Sequence, residues 1–162
     1  MISRVVDAVR GAGLRPEGID LNAFALVRTL SLPSDSAESS RVYVHLGGVT
    51  NLAIALGSIC LFTRPLSTVW DTEDDSIAAA LAEEIRLSVD FYMAQPDARW
   101  VGEVVLSGPG ARRPGLAEEL GGMIDVPVTV ADPLGRLGTE TPSGEDPYRH
   151  TIATGLALGA AA

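Results

Sequence analysis

The chain contains no lysine, so all twelve of its basic residues are arginines. This absence excludes chemistry that needs a catalytic lysine, including a P-loop nucleotide site and Schiff-base formation. The chain also has a single cysteine, Cys60, which can form neither an internal disulfide nor a cysteine-based metal site. Because Cys60 lies in the apolar run ICLF, we expect a buried thiol without a chemical role.

Basic charge and long apolar runs are scarce as well. The net charge of −9 argues against nucleic acid or an anionic membrane surface as a partner, because both require a basic face. No apolar stretch reaches the roughly 20 residues that span a bilayer, so direct membrane insertion is not expected. The N-terminal sequence MISRVVDAVRGAG has no continuous apolar core and no clear cleavage site of a signal peptide. We therefore expect a cytoplasmic location.

What the chain does contain is apolar periodicity over 162 residues, 46% of which are apolar, enough for one domain with a hydrophobic core. Helices are predicted over residues 3–12, from the caps Asp20 and Asn22 onward, and over 73–94, 114–123 and 150–161. Strands are predicted over residues 41–46, 51–56, 58–64, 101–106 and 126–130. Residues 33–40 and 132–148 are predicted as loops.

Several details of these elements follow from spacing and turn chemistry. In the second helix, apolar residues repeat every three to four positions at Phe24, Val27 and Leu30. In the long helix, the repeat is formed either by Ile77, Leu81, Ile85 and Val89 or by Leu87 and Phe91. The pairs Gly47-Gly48 and Gly57-Ser58 are predicted to supply positive φ at hairpin turns. Trp70 and Trp100 lie just outside elements and are expected to close the core or to mark a partner surface.

The element order after the first two helices is β-β-β-α-β-α-β-α. Three strands joined by short glycine turns indicate an antiparallel meander, and the alternation that follows indicates parallel strands with crossover helices. We therefore predict the α/β class, with a mixed five-stranded sheet that contains an antiparallel three-strand meander and carries helices on both faces.

The first glycine motif is VHLGGVTN, residues 44–51, at the first hairpin. Gly47 and Gly48 let backbone N–H groups approach a phosphate, while Thr50 adds a hydroxyl and Asn51 a side-chain amide. The simpler interpretation is a tight hairpin turn, for which a Gly-Gly pair is a common signal.

The second glycine motif is VLSGPGARRPGL, residues 105–116, between an apolar strand and a helix. The carboxyl ends of strands are where α/β folds bind ligands, and a helix N-terminus favours anions. Ser107, Gly108 and Gly110 are therefore candidates for ligand contact, and Arg112 or Arg113 for stacking on a base or binding phosphate. The alternative is an ordinary Gly/Pro-rich loop with solvated arginines, and the spacing matches neither GxGxxG nor a Walker A sequence.

Together the two motifs, about sixty residues apart, resemble the second phosphate motif and the adenosine motif of the actin-like ATPase superfamily, whose lobes have the ribonuclease H-like fold. Within that superfamily the chain is most similar to the PilM family of type IV pilus assembly proteins. The segments that carry the similarity are VVDAVRGAGLRPEGIDLNAFALVRTL, EIRLSVDFY and GLALG at Gly155–Gly159. The resemblance extends over nearly the whole chain.

The resemblance implies an assignment for each part of the chain. Residues 1–13 correspond to a helix left over from a preceding subdomain, and residues 14–162 to a single C-terminal actin-like lobe with a reduced or absent inserted subdomain. A full-length member would bind ATP with magnesium between two lobes and would contact inner-membrane platform proteins of the PilN and PilO type. This lobe alone is expected to bind ATP weakly or not at all and not to bind the N-terminal tail of PilN.

Two residues depart from the superfamily pattern. The phosphate hairpin of the superfamily reads Asp-x-Gly, and His45 stands at the position of the Asp; a neutral imidazole cannot replace a carboxylate as a magnesium ligand. The adenosine motif has a Gly-Gly pair, and Pro109 stands at its second position, where it removes an N–H and fixes φ. Both departures imply weakened nucleotide chemistry.

Two functions from different classes follow. The first is a PilM-like protein scaffold of the pilus machinery, attached to the inner face of the cell membrane through its partners and without catalysis by this chain. The second is an ATPase or ATP switch in which this lobe contacts phosphate and adenosine, and an FtsA-like cell-division protein is a weaker alternative. A Ser-His-acid hydrolase is not supported, because Ser107 does not lie in a G-x-S-x-G sequence. The acidic residues 71–75 are explained by a helix N-terminus better than by a metal site.

Overall fold

The computed structural model describes residues 2–31, 38–67, 76–139 and 146–160. Its strands are β1 (Ser40–His45), β2 (Asn51–Leu56), β3 (Ile59–Pro65), β4 (Val101–Ser107) and β5 (Val128–Val130). Its α-helices are α1 (Ile2–Gly11), α2 (Asn22–Leu30), α3 (Ile77–Met93), α4 (Leu116–Gly121) and α5 (Thr151–Ala160). Short 3₁₀ turns occupy Pro109–Arg112, Gly135–Leu137 and Pro147–His150.

The five strands form one mixed sheet in the order β3-β2-β1-β4-β5. β1, β2 and β3 pair antiparallel, whereas β4 pairs parallel with both β1 and β5. The predicted meander and five-stranded sheet are therefore confirmed. The central strand β1 is covered on both faces, which explains why nearly all of its residues are buried.

One face of the sheet packs against α3 and α4. Val44, Ile54 and Leu106 from the sheet share a core with Leu81 of α3 and Leu120 of α4, and all five side chains are fully buried. Of the two predicted stripes on α3, the one containing Ile77, Leu81 and Ile85 is buried, whereas Leu87 and Phe91 point outward. The predicted start of this helix at residue 73 and the acidic residues 71–75 lie outside the described residues, as does Trp70.

The other face packs against α2 and α5. Tyr43, Ala53 and Val105 alternate with the residues of the first core and contact Leu26 and Leu30 of α2. The two helices approach closely at Gly155, where a Cβ would lie 1.9 Å from the Ala25 carbonyl oxygen. A small residue is therefore required at this position of the GLALG segment.

The crossing of α2 and α5 is also fixed by polar contacts. The hydroxyl of Thr29 lies 2.8 Å from the Thr151 carbonyl oxygen and 2.9 Å from that of Ala25. The Arg28 guanidinium donates to the Gly155 carbonyl at 2.7 Å and pairs with Asp20 at 2.9 Å. The Thr29 contacts are buried and the contact of Arg28 with Gly155 is half-buried. Because buried polar groups need their partners, these bonds specify one arrangement of the two helices.

Three predictions about the helices need correction. Asp20 and Asn22 do not cap α2: the N-cap residue is Leu21, and the Asp20 carboxylate accepts from the Leu21 N–H instead. Phe24 is exposed, because the buried stripe of α2 passes through Ala23, Leu26, Val27 and Leu30 and leaves position 24 outside it. Trp100 does not close the core, since 61% of it is exposed.

Other boundaries shift by a few residues. The predicted helix at 114–123 is divided into a 3₁₀ turn and the shorter α4, because Gly115 adopts φ +82° between them. The predicted strand at 126–130 is paired only from Val128. The predicted loop 132–148 contains a 3₁₀ turn at Gly135–Leu137, and another begins at Pro147, although residues 140–145 lie outside the described part.

One of the two hairpin turns differs from the prediction. Gly57 adopts φ +56°, as predicted for the tight turn between β2 and β3. Gly47 and Gly48 do not have positive φ. The β1–β2 connection spans residues 46–50, and a loop of that length does not need the left-handed residues of a two-residue turn.

The helix α1 contributes no residue to either core. Its Val5 side chain is 61% exposed. Cys60 is half-buried rather than buried, and partial burial raises the pKa of its thiol. Within the described ranges, none of the helices combines the length and apolar character required to cross a bilayer.

Candidate functional site

The two glycine motifs meet at one edge of the sheet. β1 and β4 are parallel neighbours, and His45 at the end of β1 lies opposite Ser107 at the end of β4. The loops that follow, residues 46–50 and 108–113, therefore start side by side. The carboxyl ends of parallel strands are where α/β folds bind ligands, which is the position predicted for the second motif.

Backbone hydrogen bonds join the two loops directly. The Leu46 N–H donates to the Ser107 carbonyl at 2.8 Å, and the Gly110 N–H donates to the Leu46 carbonyl at 3.0 Å. Gly108 makes this contact possible, because its φ of +84° and ψ of 167° belong to a region that only glycine adopts readily. A Cβ on Gly108 would lie 2.5 Å from the Leu46 carbonyl oxygen.

The imidazole of His45 fills the remaining space between the loops. The residue is 9% exposed, and the Nδ1 of its ring lies 3.2 Å from the Ser107 hydroxyl oxygen. A Cβ on Gly47 would lie 2.8 Å from Nε2, and one on Gly108 would lie 3.0 Å from Cε1. Glycine is thus needed on both loops because the imidazole occupies the space that their side chains would take.

Burial lowers the pKa of His45 from its ordinary value of 6.5 to about 4. The ring is therefore neutral near neutral pH, and the hydrogen bond with Ser107 is one between neutral groups. Ser107 itself is fully buried. The pair resembles a Ser-His dyad, but a hydroxyl without access to solvent cannot reach a substrate, so the structure offers no support for a hydrolase at this edge.

The lowered pKa of His45 predicts a specific loss of stability in mild acid. Between pH 6.5 and about pH 4 the unfolded chain binds a proton at this residue that the folded chain does not, so stability falls as the pH falls through this window. From about pH 7.5 to about pH 5, wild type should lose about 2 kcal/mol of unfolding free energy more than a His45→Gln variant. Urea denaturation at both pH values measures this difference.

The other histidine supplies the control for this experiment. A His150→Gln variant removes the other histidine, which lies in the 3₁₀ turn at Pro147–His150 and not between the ends of β1 and β4, and it should retain the acid-induced loss of stability that His45→Gln removes. Equal acid sensitivity in wild type and the His45→Gln variant would show that His45 is not buried in its neutral form.

The candidate donors of the two motifs are mostly engaged within the protein. The Asn51 amide donates to the Val49 carbonyl at 2.9 Å, Ser107 contacts His45, and the Gly110 N–H is taken by Leu46. Thr50 is 2% exposed, and its hydroxyl has no hydrogen-bond partner within the described part of the chain. Among the predicted site residues, Gly48 lies open, because a Cβ added there would have nothing within 4 Å.

Both arginines of the second motif also contact other residues of the lobe. Arg113 is mostly buried and lies 3.6 Å from the Glu119 carboxylate. Arg112 lies 3.6 Å from Asp146 and 5.9 Å from the centroid of the Tyr148 ring. Sequence reasoning missed Asp146, although an Asp before a Pro is a helix-start signal, and its carboxylate accepts from the Tyr148 N–H.

The residues at this edge do not fit magnesium. Magnesium requires oxygen ligands in near-octahedral geometry, and the strand-end position next to Ser107 holds a neutral imidazole. In the ranges that the structure describes, no three His, Cys, Asp or Glu side chains are grouped so that they could hold a metal ion. Binding of ATP by Gly47, Gly48, Thr50, Asn51, Ser107, Gly108, Gly110 and Arg113 stays a prediction.

The sheet order, the helices on both faces and the two glycine loops at one edge define a lobe of the actin-like ATPase class. Solved structures agree. The structure described as "PilM-PilN type IV pilus biogenesis complex" matches with a TM-score of 0.80 and 23% identity, over 98% of this chain and 57% of that one. The ethanolamine utilization protein EutJ from Carboxydothermus hydrogenoformans matches with a TM-score of 0.61 and 15% identity, over 94% of this chain and 59% of that one.

A third structure with this fold is the activator of the 2-hydroxyisocaproyl-CoA dehydratase from Clostridium difficile with bound ADPNP. Its TM-score is 0.53 at 14% identity, over 98% of this chain and 80% of that one. No curated protein sequence matches the chain significantly. The family model of the type IV pilus assembly protein PilM matches residues 75–161, and the chain belongs to that family. It spans less than two thirds of the length of the first two solved structures.

Proposed function

We propose that this chain is the C-terminal lobe of a PilM-type component of the type IV pilus machinery and acts as a protein-interaction scaffold. The observation that carries the proposal is the family match over residues 75–161, which contains α3, β4, the second glycine loop and α5. The lobe lies in the cytoplasm at the inner face of the membrane and is held there by its partners.

The internal contacts of the glycine loops support a scaffold over a catalyst. A catalytic nucleotide site needs donors that are free to meet the charge that develops on phosphate. Here the Gly110 N–H, the Asn51 amide and the Ser107 hydroxyl each have partners within the lobe. We expect no steady-state ATP hydrolysis that follows the chain through purification.

The surface around α3 supports partner binding. Phe91 is 60% exposed and its ring lies 5.5 Å from that of Phe62 on β3. On the opposite side of α3, Met93 and Trp100 line a groove of about 370 Å³ together with Val126. Exposed aromatic and methionine side chains are enriched in protein interfaces. We infer that platform proteins of the PilN and PilO type contact this surface; the name of one matching structure includes PilN.

Capture of a solubilised PilN–PilO complex by the immobilised chain tests the proposal. We expect capture that is equal with and without Mg-ATP, and no binding of a peptide with the sequence of the PilN N-terminal tail. Phe91→Glu and Trp100→Glu should each weaken capture about tenfold or more, because buried aromatic contacts dominate interfaces. Ala79→Glu places the same charge on an exposed position of α3 and should leave capture unchanged. Absence of capture by the wild-type chain contradicts the proposal.

A nucleotide switch is the second candidate, favoured by the position of the two glycine loops at the carboxyl ends of adjacent parallel strands. Isothermal titration calorimetry with ATP tests it, and Gly48→Val is the informative variant because position 48 is open. Micromolar binding that is lost in Gly48→Val supports the switch. Substitutions of Gly47 or Gly108 are less informative, because both positions pack against His45 or Leu46.

A further inference from the structure

The edge that joins the two glycine loops is built around one side chain. His45 contributes its backbone to the pairing of β1 with β4 and its ring to the contact with Ser107. A Cβ added to Gly47 would lie 2.8 Å from the ring, and one added to Gly108 would lie 3.0 Å from it. Both loops therefore pack against the ring. The imidazole thus occupies the volume between the loops and contacts each of them.

At the strand-end position where the loops meet, β1 presents an imidazole and not an oxygen ligand. Hard cations such as magnesium bind carboxylate, carbonyl and water oxygens, and prefer to keep an octahedral shell. The Ser107 hydroxyl is engaged with the ring, and the Leu46 carbonyl accepts from the Gly110 N–H. These two oxygens are thus already bonded within the protein.

We propose that His45 forms a cation-independent clasp between the two glycine loops, so that the packing of these loops and the fold of this lobe do not depend on a divalent cation. The inference deepens the proposed scaffold function and rests on it, because a platform for other proteins then keeps one shape whatever the magnesium or nucleotide concentration. A carboxylate at position 45 would restore the oxygen ligand that the imidazole replaces.

Thermal unfolding of the wild-type chain tests the clasp directly. Melting is followed by circular dichroism in about 5 mM MgCl₂, in EDTA, and in NaCl of matched ionic strength, each with and without ATP. The clasp predicts melting temperatures that agree within about 1 °C across the magnesium, EDTA and NaCl series. A melting temperature at least about 3 °C higher in MgCl₂ than in both EDTA and matched NaCl, without ATP, overturns it.

The variant His45→Asp tests whether a carboxylate at position 45 makes the lobe respond to a divalent cation. Its melting temperature should rise by about 3 °C or more on addition of MgCl₂, and it should bind Mn²⁺ in electron paramagnetic resonance titrations, whereas wild type does neither. Gln95→Glu places a carboxylate on an exposed position between α3 and β4, at the opposite end of β4 from Ser107, and should not respond. Specific Mn²⁺ binding by wild type, or a folded His45→Asp variant that ignores both cations, contradicts the proposal. If His45→Asp does not fold, the Mn²⁺ titration of wild type decides.

The clasp and the scaffold can fail separately. Capture of the PilN–PilO complex, measured in the same magnesium and EDTA buffers, reports the scaffold function alone. Cation-independent melting without capture leaves the clasp and removes the scaffold. Capture combined with magnesium-dependent melting leaves the scaffold function and removes the clasp.

Discussion

Replacement of Gly155 by alanine is expected to destabilise the lobe by about 3 kcal/mol or more, and to lower its melting temperature by roughly 10 °C. The added Cβ would lie 1.9 Å from the Ala25 carbonyl oxygen and 2.6 Å from the Thr29 hydroxyl. A backbone carbonyl cannot rotate away, so α2 and α5 must separate. Alanine gains about 1 kcal/mol of intrinsic helix propensity over glycine, which offsets only part of this cost.

Separation of the two helices also breaks their polar contacts. The bonds of Thr29 to Thr151 and of Arg28 to the Gly155 carbonyl cross the same interface. Buried groups that lose their partners cost about 1–3 kcal/mol each. Chemical denaturation of the purified variant measures the sum of these effects.

Gly159→Ala is the matched control, with the same substitution on the same helix. The nearest atoms to its Cβ would be those of the Arg28 guanidinium, at 2.6 Å from Nη1; this flexible group can shift at the cost of its own contacts with Gly155 and Asp20, without separating the helices. We expect a change within about 1 kcal/mol of wild type. Similar stabilities for Gly155→Ala and Gly159→Ala would contradict the close helix crossing.

Replacement of Gly108 by alanine is the second large effect, with an expected loss of about 3 kcal/mol. Two costs combine: a backbone conformation at φ +84° that alanine resists, and a Cβ placed 2.5 Å from the Leu46 carbonyl oxygen. The Leu46 carbonyl is the acceptor for the Gly110 N–H, so the contact between the two loops is disturbed as well. Urea denaturation with a fluorescence or circular dichroism signal gives the free energy.

Gly48→Ala serves as the control for the Gly108 variant, because it changes a glycine in the neighbouring loop. Position 48 is exposed, lacks positive φ and has nothing within 4 Å of a Cβ. Its stability should stay within about 0.5 kcal/mol of wild type. Equal effects of the two substitutions would show that the loops are not packed as described.

The sheet could be predicted from sequence because its signals are local. Alternating apolar residues in β1 and the glycine turn at Gly57 specify a meander without reference to distant residues. The buried face of a helix is harder to predict from sequence when apolar residues lie on several of its sides. In α2, a stripe through Phe24 and one through Ala23 and Leu26 are both apolar, and the packing against the sheet selects the stripe with Leu26.

The contacts that define the candidate site depend on which strands become neighbours. His45 and Ser107 are 62 positions apart, and nothing local indicates that their side chains meet. The same is true of Gly155, whose role depends on a crossing with α2, and of Asp146, which meets Arg112 across two loops. Sequence reasoning identified both glycine motifs but assigned their donors to a ligand, whereas many of those donors bond within the lobe.

Hydrogen–deuterium exchange of the chain, alone and with the PilN–PilO complex or Mg-ATP, tests the scaffold proposal most directly. A scaffold lobe predicts that the complex protects backbone amides around α3, and that Mg-ATP leaves the exchange of residues 46–50 and 108–113 unchanged. Protection of those two loops by Mg-ATP, with no protection anywhere by the PilN–PilO complex, would contradict it.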